Sequence, residues 1–182
     1  NFNMPNYVVI PTSAGGNLRG IEKGFKEFYN VGLIDRIPKI VCGQASGCSP
    51  ISKAYMDKSM EINRISNPDT IAHAIENPFP PSGNQVLRLI ERNGGCIVDV
   101  SDSEIVKAQK ILAEEGIFVQ PASAVSIAST IKLKNTGYLN EEDTIVCILT
   151  GGGLKYTAAF DKHELLYKEC KLEKLATFVK EY

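Results

Sequence analysis

The sequence predicts an α/β fold: a doubly wound, mostly parallel sheet with helices on both faces. Three observations carry this. Short apolar runs of strand length alternate with longer segments of helical spacing. That alternation builds parallel sheets through right-handed crossovers. Glycine-rich stretches follow the first and the last clear apolar runs, at the carboxyl edge where sheets of this kind gather ligands. The 182 residues, 43% of them hydrophobic, suffice for one well-packed domain.

The elements follow in order. Tyr7-Val8-Val9-Ile10-Pro11 reads as a buried strand. Asn17 to Tyr29 has helical spacing, with Leu18, Ile21, Phe25 and Phe28 on one side, and Gly32 marks a stop. Phe25, Phe28 and Tyr29 read as core and helix-face residues. Pro38 to Gly43 is a second strand, and Ser49-Pro50 opens a helix to about Met56 with Ser as its cap. From Asp57 to Asn84 regularity weakens into turns, with a short helix over Thr70 to Ile75. Asn84 to Asn93 is a helix closed by Gly94-Gly95, and Cys96 to Val100 a third strand. Ser101 and Glu104 form a capping box for a helix whose buried stripe is Ile105, Ala108, Ile111 and Leu112, ending at Gly116. Ile117 to Val119 is a very short strand. Pro121 starts a helix with a first turn of small residues, Ala122, Ser123 and Ala124. Thr144 to Leu149 is the fourth clear strand. A charged, helix-prone tail runs from Asp161 to Tyr182.

Composition excludes several classes. A formal charge of -1 gives no pull toward nucleic acid or an anionic membrane surface. No stretch approaches the roughly 18 apolar residues of a membrane span. The five cysteines, Cys42, Cys48, Cys96, Cys147 and Cys170, are scattered and lack a CxxC pair, so neither a disulfide framework nor a zinc site is expected. Cys96 and Cys147 lie in apolar runs and read as buried small hydrophobes in a protein from a reducing compartment. His73 and His163 are too far apart for a metal cluster, though either is able to act as a lone acid or base. Cys48, near Ser46 and Ser49, lacks an identifiable base and reads as no nucleophile. Asp102 reads as a first-turn helix acid. Asn1 to Pro5 shows no secretory pattern and does not begin with Met, as a fragment or a processed product would not.

Two loops carry chemistry. In Pro11-Thr12-Ser13-Ala14-Gly15-Gly16-Asn17 the paired glycines let the backbone approach an anion, and the following helix aims free N–H groups and its positive end at the same place. Ser13 and Asn17 offer side-chain donors. The Lys-Ser/Thr pair of a triphosphate-hydrolysing loop and the GxGxxG spacing of a dinucleotide site are both missing. A tight turn without a ligand is the alternative. In Leu149-Thr150-Gly151-Gly152-Gly153 a lone hydroxyl stands at the sheet edge, suited to a neutral aromatic nitrogen. The alternative there is a glycine loop with an incidental Thr.

The strings VVIPTSAGGNLRGIEKGF (8–25), GLIDRIPKIVCGQASGCSPI (32–51), EGIFVQPASAVSIAS (115–129) and DTIVCILTGGGLK (143–155) resemble threonine synthases, within the pyridoxal-phosphate enzymes of the tryptophan-synthase-β type, fold type II. The resemblance spans residues 7–155 in order. It implies the cofactor pyridoxal 5′-phosphate, held at its phosphate by Ser13, Ala14, Gly15, Gly16 and Asn17 and at its ring nitrogen by Thr150, with Ala122 and Ser123 nearby. Residues 1–182 would be the C-terminal part of the cofactor-binding large domain. The whole enzyme would be a cytoplasmic lyase of threonine biosynthesis, a homodimer that converts O-phosphohomoserine and water to threonine and phosphate.

The chain departs from the family in four places. Gln120 stands where the family usually has Glu, and Gly152 where it often has His. Ile75-Glu76-Asn77-Pro78 matches only loosely an Ile-Arg-Ile-Gly-Asn-Pro-like stretch, and Phe79 to Gly83 has no counterpart. The family's Schiff-base lysine falls before Asn1; Lys23 and Lys155 read as solvated lysines, so this chain alone would be inactive, with no catalytic residue of its own. Other readings are a threonine or serine dehydratase, a cysteate-synthase-like β-replacement enzyme, and a non-catalytic domain binding a phosphorylated ligand or a partner.

Overall fold

The computed structural model describes residues 3–158 and 169–179. Among these, strands β1 (Tyr7–Pro11), β2 (Lys39–Ala45), β3 (Cys96–Val100) and β4 (Ile145–Cys147) form one parallel sheet in the order β3-β2-β1-β4. Tyr7 lies opposite both Lys39 and Ile145, and Val41 opposite Cys96. The expected doubly wound sheet is therefore observed.

Side chains alternate across the pleat, which sorts the helices into two layers. Val8, Ile10, Ile40, Cys42 and Ile97 point to one face. There they meet Leu18 of α1 (Gly16–Asn30), Ile51 and Ala54 of α2 (Pro50–Met56), and Val86 and Ile90 of α3 (Gly83–Asn93). Tyr7, Val9, Val41 and Val98 point to the other, against Leu133 of α5 (Pro121–Asn135). Helix α4 (Asp102–Glu114) joins α5 there through Ile105, Ala108 and Leu112. Gly43 lets α5 come close: a Cβ on it would lie 2.8 Å from Ser129 Oγ.

The stop and start signals act as read, with two exceptions. Gly32 sits at φ +73 after α1. Its N–H donates to Tyr29 O at 3.0 Å and that of Leu33 to Phe28 O at 2.9 Å, the paired bonds of a left-handed helix stop. Ser101 and Glu104 make the reciprocal capping box. Ser49, however, does not cap α2: the Gln44 side-chain oxygen accepts from Ile51 N–H at 2.9 Å and from Ser52 N–H at 3.0 Å. A buried strand amide needs partners, and the orphan donors of a helix start supply them. The expected strand at Ile117–Val119 reduces to one antiparallel bridge between Val119 and Gly152.

Other expectations need correction. Phe28, Tyr29 and Ile111 are exposed, because each helix buries a narrower stripe than its apolar residues allow. The last strand covers Ile145–Cys147, not Thr144 to Leu149, although Ile148 N–H still reaches Val9 O at 3.0 Å. Cys147 on it is half-buried, while Cys96 at the start of β3 is buried. The helix expected over Thr70 to Ile75 is one 3₁₀ turn, His73–Ile75. Asp102 does more than place an acid in the first turn of α4: its carboxylate takes Thr70 Oγ1 at 2.6 Å and Ile71 N–H at 3.1 Å, pinning the irregular segment to α4. Helix α6 (Leu175–Phe178) lies near the C-terminus. His163 and half of the tail lie outside the described residues. No described helix is long and apolar enough to cross a membrane.

Candidate functional site

The first glycine loop is built from the end of β1. Thr12 N–H continues the ladder to Gly43 O at 2.8 Å, and its hydroxyl turns back to Ile10 O at 2.9 Å. The chain then bends at Gly15, φ +88, a left-handed conformation that a side chain strains. Helix α3 seats this bend. Ser82 N–H donates to Ala14 O at 3.2 Å, Arg19 reaches Ser82 Oγ at 3.1 Å, and a Cβ on Gly15 would stand 2.8 Å from Val86 Cγ2. A Cβ on Gly16 would meet nothing within 4 Å.

The N–H groups of Ser13, Ala14, Gly15, Gly16 and Asn17 find no acceptor among the described residues. They stand at the positive end of the fifteen-residue α1, an arrangement that receives a phosphate or carboxylate.

The second loop is anchored by α5. Ser123, fully buried, takes Gly151 N–H on its Oγ at 2.7 Å and stands 3.1 Å from Thr150 Oγ1. Gln120 N–H donates to Gly151 O at 3.1 Å, and Gly153 N–H to Phe118 O at 3.2 Å. Gly153 is needed for packing: a Cβ on it would enter the Phe118 ring at 2.4 Å.

The two loops face one cavity of about 390 Å³. Ser13, Ala14, Gly15, Gly16 and Asn17 of the first loop and Thr150 of the second line it, together with Ala74, Ile75 and Gln120. The volume falls within the roughly 300–1,000 Å³ of small-molecule sites. All six residues singled out by sequence thus line one cavity. The lining carries no charged side chain and no lysine. Such a cavity suits a small molecule that carries both an anion and a neutral hydrogen-bonding atom.

Several candidates stay outside it. His73 Nδ1 lies 2.9 Å from Glu76 Oε2, and its ring stands edge-on to Tyr156 at 5.0 Å. Burial, and then the nearby Glu76 charge, raise the Cys48 thiol's pKa, the reverse of what a nucleophile needs. Burial pushes Cys42 up to about 12 and Cys96 to about 11. No group of three or more metal-ligating side chains is found among the described residues. Sequence reading missed Ala74, Ile75 and Gln120 as cavity wall. Gln120 carried a signal, a polar residue beside an apolar run; Ala74 and Ile75, in an irregular stretch, carried none.

Comparison with known proteins gives a consistent family. A family profile described as pyridoxal-phosphate dependent enzyme matches residues 1–151. The chain is 42% identical to the threonine synthase of Methanocaldococcus jannaschii, over 100% of this chain and 45% of that protein. It is 42% identical to the threonine synthase of Methanosarcina acetivorans, over 85% of this chain and 38% of that protein. The chain therefore spans less than half the length of these relatives. Among solved structures, Escherichia coli threonine synthase aligns with a TM-score of 0.64 at 17% identity, over 94% of this chain and 39% of that one. Maize serine racemase aligns with 0.67 at 19%, over 97% and 48%. At such identities these two speak for the fold alone.

Proposed function

The chain belongs to the pyridoxal-phosphate dependent enzymes, and from that premise we propose that its cavity holds pyridoxal 5′-phosphate in a threonine-synthase-like lyase. The observation that carries the reading is the shared cavity, which the unpartnered N–H groups of the first loop and the Thr150 hydroxyl line together. The phosphate would lie against Ser13, Ala14, Gly15, Gly16 and Asn17, where the helix end supplies the countercharge that the lining side chains lack. Thr150 would donate to the ring nitrogen, and Ser123 would keep that hydroxyl in place. Bound there, the cofactor supplies an electron sink for carbanions of an amino-acid substrate.

On this reading the enzyme acts on a phosphorylated amino acid, O-phosphohomoserine, and water to give threonine and phosphate. The identity to two threonine synthases supports that choice over dehydration. No lysine lines the cavity among the described residues. The lysine that binds the cofactor's aldehyde would come from a segment outside these 182 residues, which would form the C-terminal part of the cofactor-binding domain and be inactive alone.

The test is equilibrium binding of pyridoxal 5′-phosphate against pyridoxal. The loop predicts at least tenfold tighter binding of the phosphorylated form; equal affinities defeat the reading of the cavity. Release of phosphate from O-phosphohomoserine by the full-length enzyme, with threonine as product, tests the substrate. Ammonia and a keto acid in its place would point to a dehydratase.

A further inference from the structure

We infer that the groove between α1 and α3 is a second binding site, for a small molecule that carries a diphosphate. Its volume of about 770 Å³ exceeds that of the cavity between the glycine loops, and the two share only Gly16. Each wall carries two cations one helical turn apart: Arg19 and Lys23 on α1, Arg88 and Arg92 on α3. The acids of the lining are Glu22 and Glu91. Glu22 is buried and taken by Lys26 at 2.5 Å, and Lys23 is taken by Glu27. None of the three arginines pairs with a carboxylate among the described residues. Arg19 donates to Ser82 Oγ at 3.1 Å and Arg92 Nε to Arg88 O at 3.2 Å, which leaves most of their N–H donors open. The Arg88 guanidinium finds no partner among the described residues.

Three guanidinium groups gathered in one groove repel one another, a cost that an anion between them removes. They stand out in a chain whose formal charge is -1. A guanidinium grips phosphate through two parallel hydrogen bonds. Arg88 and Arg92 stand about 6 Å apart along α3, across the groove from Arg19, a spread that matches two linked phosphates better than one. The rest of the lining shows what else the ligand carries. Gly20 lies in the middle of α1 and forms its wall of the groove. Glycine weakens a helix, and a Cβ there would meet nothing within 4 Å, so no contact within the chain calls for glycine. What Gly20 provides is width. Leu89, buried on α3, adds an apolar surface to the lining. A flat organic group joined to the diphosphate, such as the base of a nucleotide, would pack against it.

The test uses the full-length enzyme saturated with pyridoxal 5′-phosphate, so that the first glycine loop is already filled. Calorimetry measures the binding of orthophosphate, pyrophosphate and adenosine diphosphate at one ionic strength. Pyrophosphate is expected to bind at least tenfold more tightly than orthophosphate. Tighter binding of adenosine diphosphate than of pyrophosphate identifies a nucleotide as the ligand; binding no tighter identifies the free diphosphate. Two variants locate the site. Gly20→Leu fills the groove with a better helix former that meets open space. Arg88→Gln combined with Arg92→Gln removes two exposed charges. Each variant is expected to lower pyrophosphate affinity at least tenfold, with an unfolding midpoint no lower than that of the wild type. Equal affinities for orthophosphate and pyrophosphate, no binding to the wild type, or wild-type affinity in either variant would overturn the inference and leave the cofactor reading intact.

Discussion

The hydroxyls of Ser123 and Thr150 stand 3.1 Å apart, and Ser123 Oγ also receives the Gly151 N–H at 2.7 Å. One fully buried serine on α5 thus fixes both the hydroxyl and the backbone of the glycine loop that follows β4. The parallel sheet brings this pair across from the β1 loop, because β1 and β4 are neighbours and end on the same edge. Loops about 135 residues apart in sequence meet for that reason.

Removing the Thr150 hydroxyl should affect turnover more than binding. In the full-length enzyme, Thr150→Val is expected to lower kcat about tenfold or more, the worth of one well-placed hydrogen bond. If, as proposed, the first glycine loop supplies most of the cofactor affinity, that affinity should change by less than about threefold. Steady-state kinetics and cofactor titration on the same preparation check the split, and unchanged kcat would remove Thr150 from its role.

Ser123→Ala should destabilise the protein. It leaves the Gly151 N–H without its acceptor, at a cost of about 1–3 kcal/mol. Urea unfolding reads the loss. A midpoint equal to that of the wild type would mean that another acceptor takes the Gly151 N–H.

The sheet, the order of its major helices and the six residues that line the cavity from the two glycine loops were legible because each left a local mark: apolar runs of strand length, helix stops at glycine, and glycines after strand ends. What escaped depends on contacts distant in sequence. Ser49-Pro50 is a good local helix start, yet the cap comes from Gln44 on the preceding strand, five residues earlier in sequence but across the turn in space. Phe28 and Tyr29 sit at helical spacing but beyond the reach of the sheet. The cavity wall at Ala74 and Ile75 is set by Asp102 holding Thr70 and Ile71, a link that no pattern encodes.

Gly15 and Gly16, adjacent in sequence, should respond oppositely to substitution. Gly15→Ala meets a left-handed backbone and Val86 at 2.8 Å, so a loss of about 1–3 kcal/mol in stability is expected. Gly16→Leu meets open space and should leave the unfolding midpoint close to that of the wild type while abolishing pyridoxal phosphate binding. Cofactor affinity retained by Gly16→Leu would count against the cradle.

Stability should fall above pH 9. The Cys42 and Cys96 thiols ionise near 9 when unfolded but only near 12 and 11 when buried, so the unfolded state releases protons first. Their contribution is complete below pH 9 and is lost as pH rises through the folded values, at up to about 1.4 kcal/mol per pH unit for each group. Urea midpoints at pH 8, 9 and 10 measure the slope. Cys42→Ala should flatten it, and a slope unchanged by that substitution would exclude Cys42 as its source.

Gln44 holds three pieces of the site's frame together, and its loss should be felt in all of them. Its side-chain oxygen takes two N–H groups at the start of α2, and its amide nitrogen points to Thr12 O at 3.4 Å, where the first glycine loop begins. Gln44→Met keeps the volume and removes both functions. The buried N–H groups of Ile51 and Ser52 then go unpaired, which should cost about 2–4 kcal/mol in unfolding free energy. Hydrogen exchange should locate the change in the first turn of α2, with a smaller gain in exchange at Thr12. Protection at Ile51 and Ser52 equal to that of the wild type would mean that Ser49 takes over the cap, as its place in the sequence first suggests.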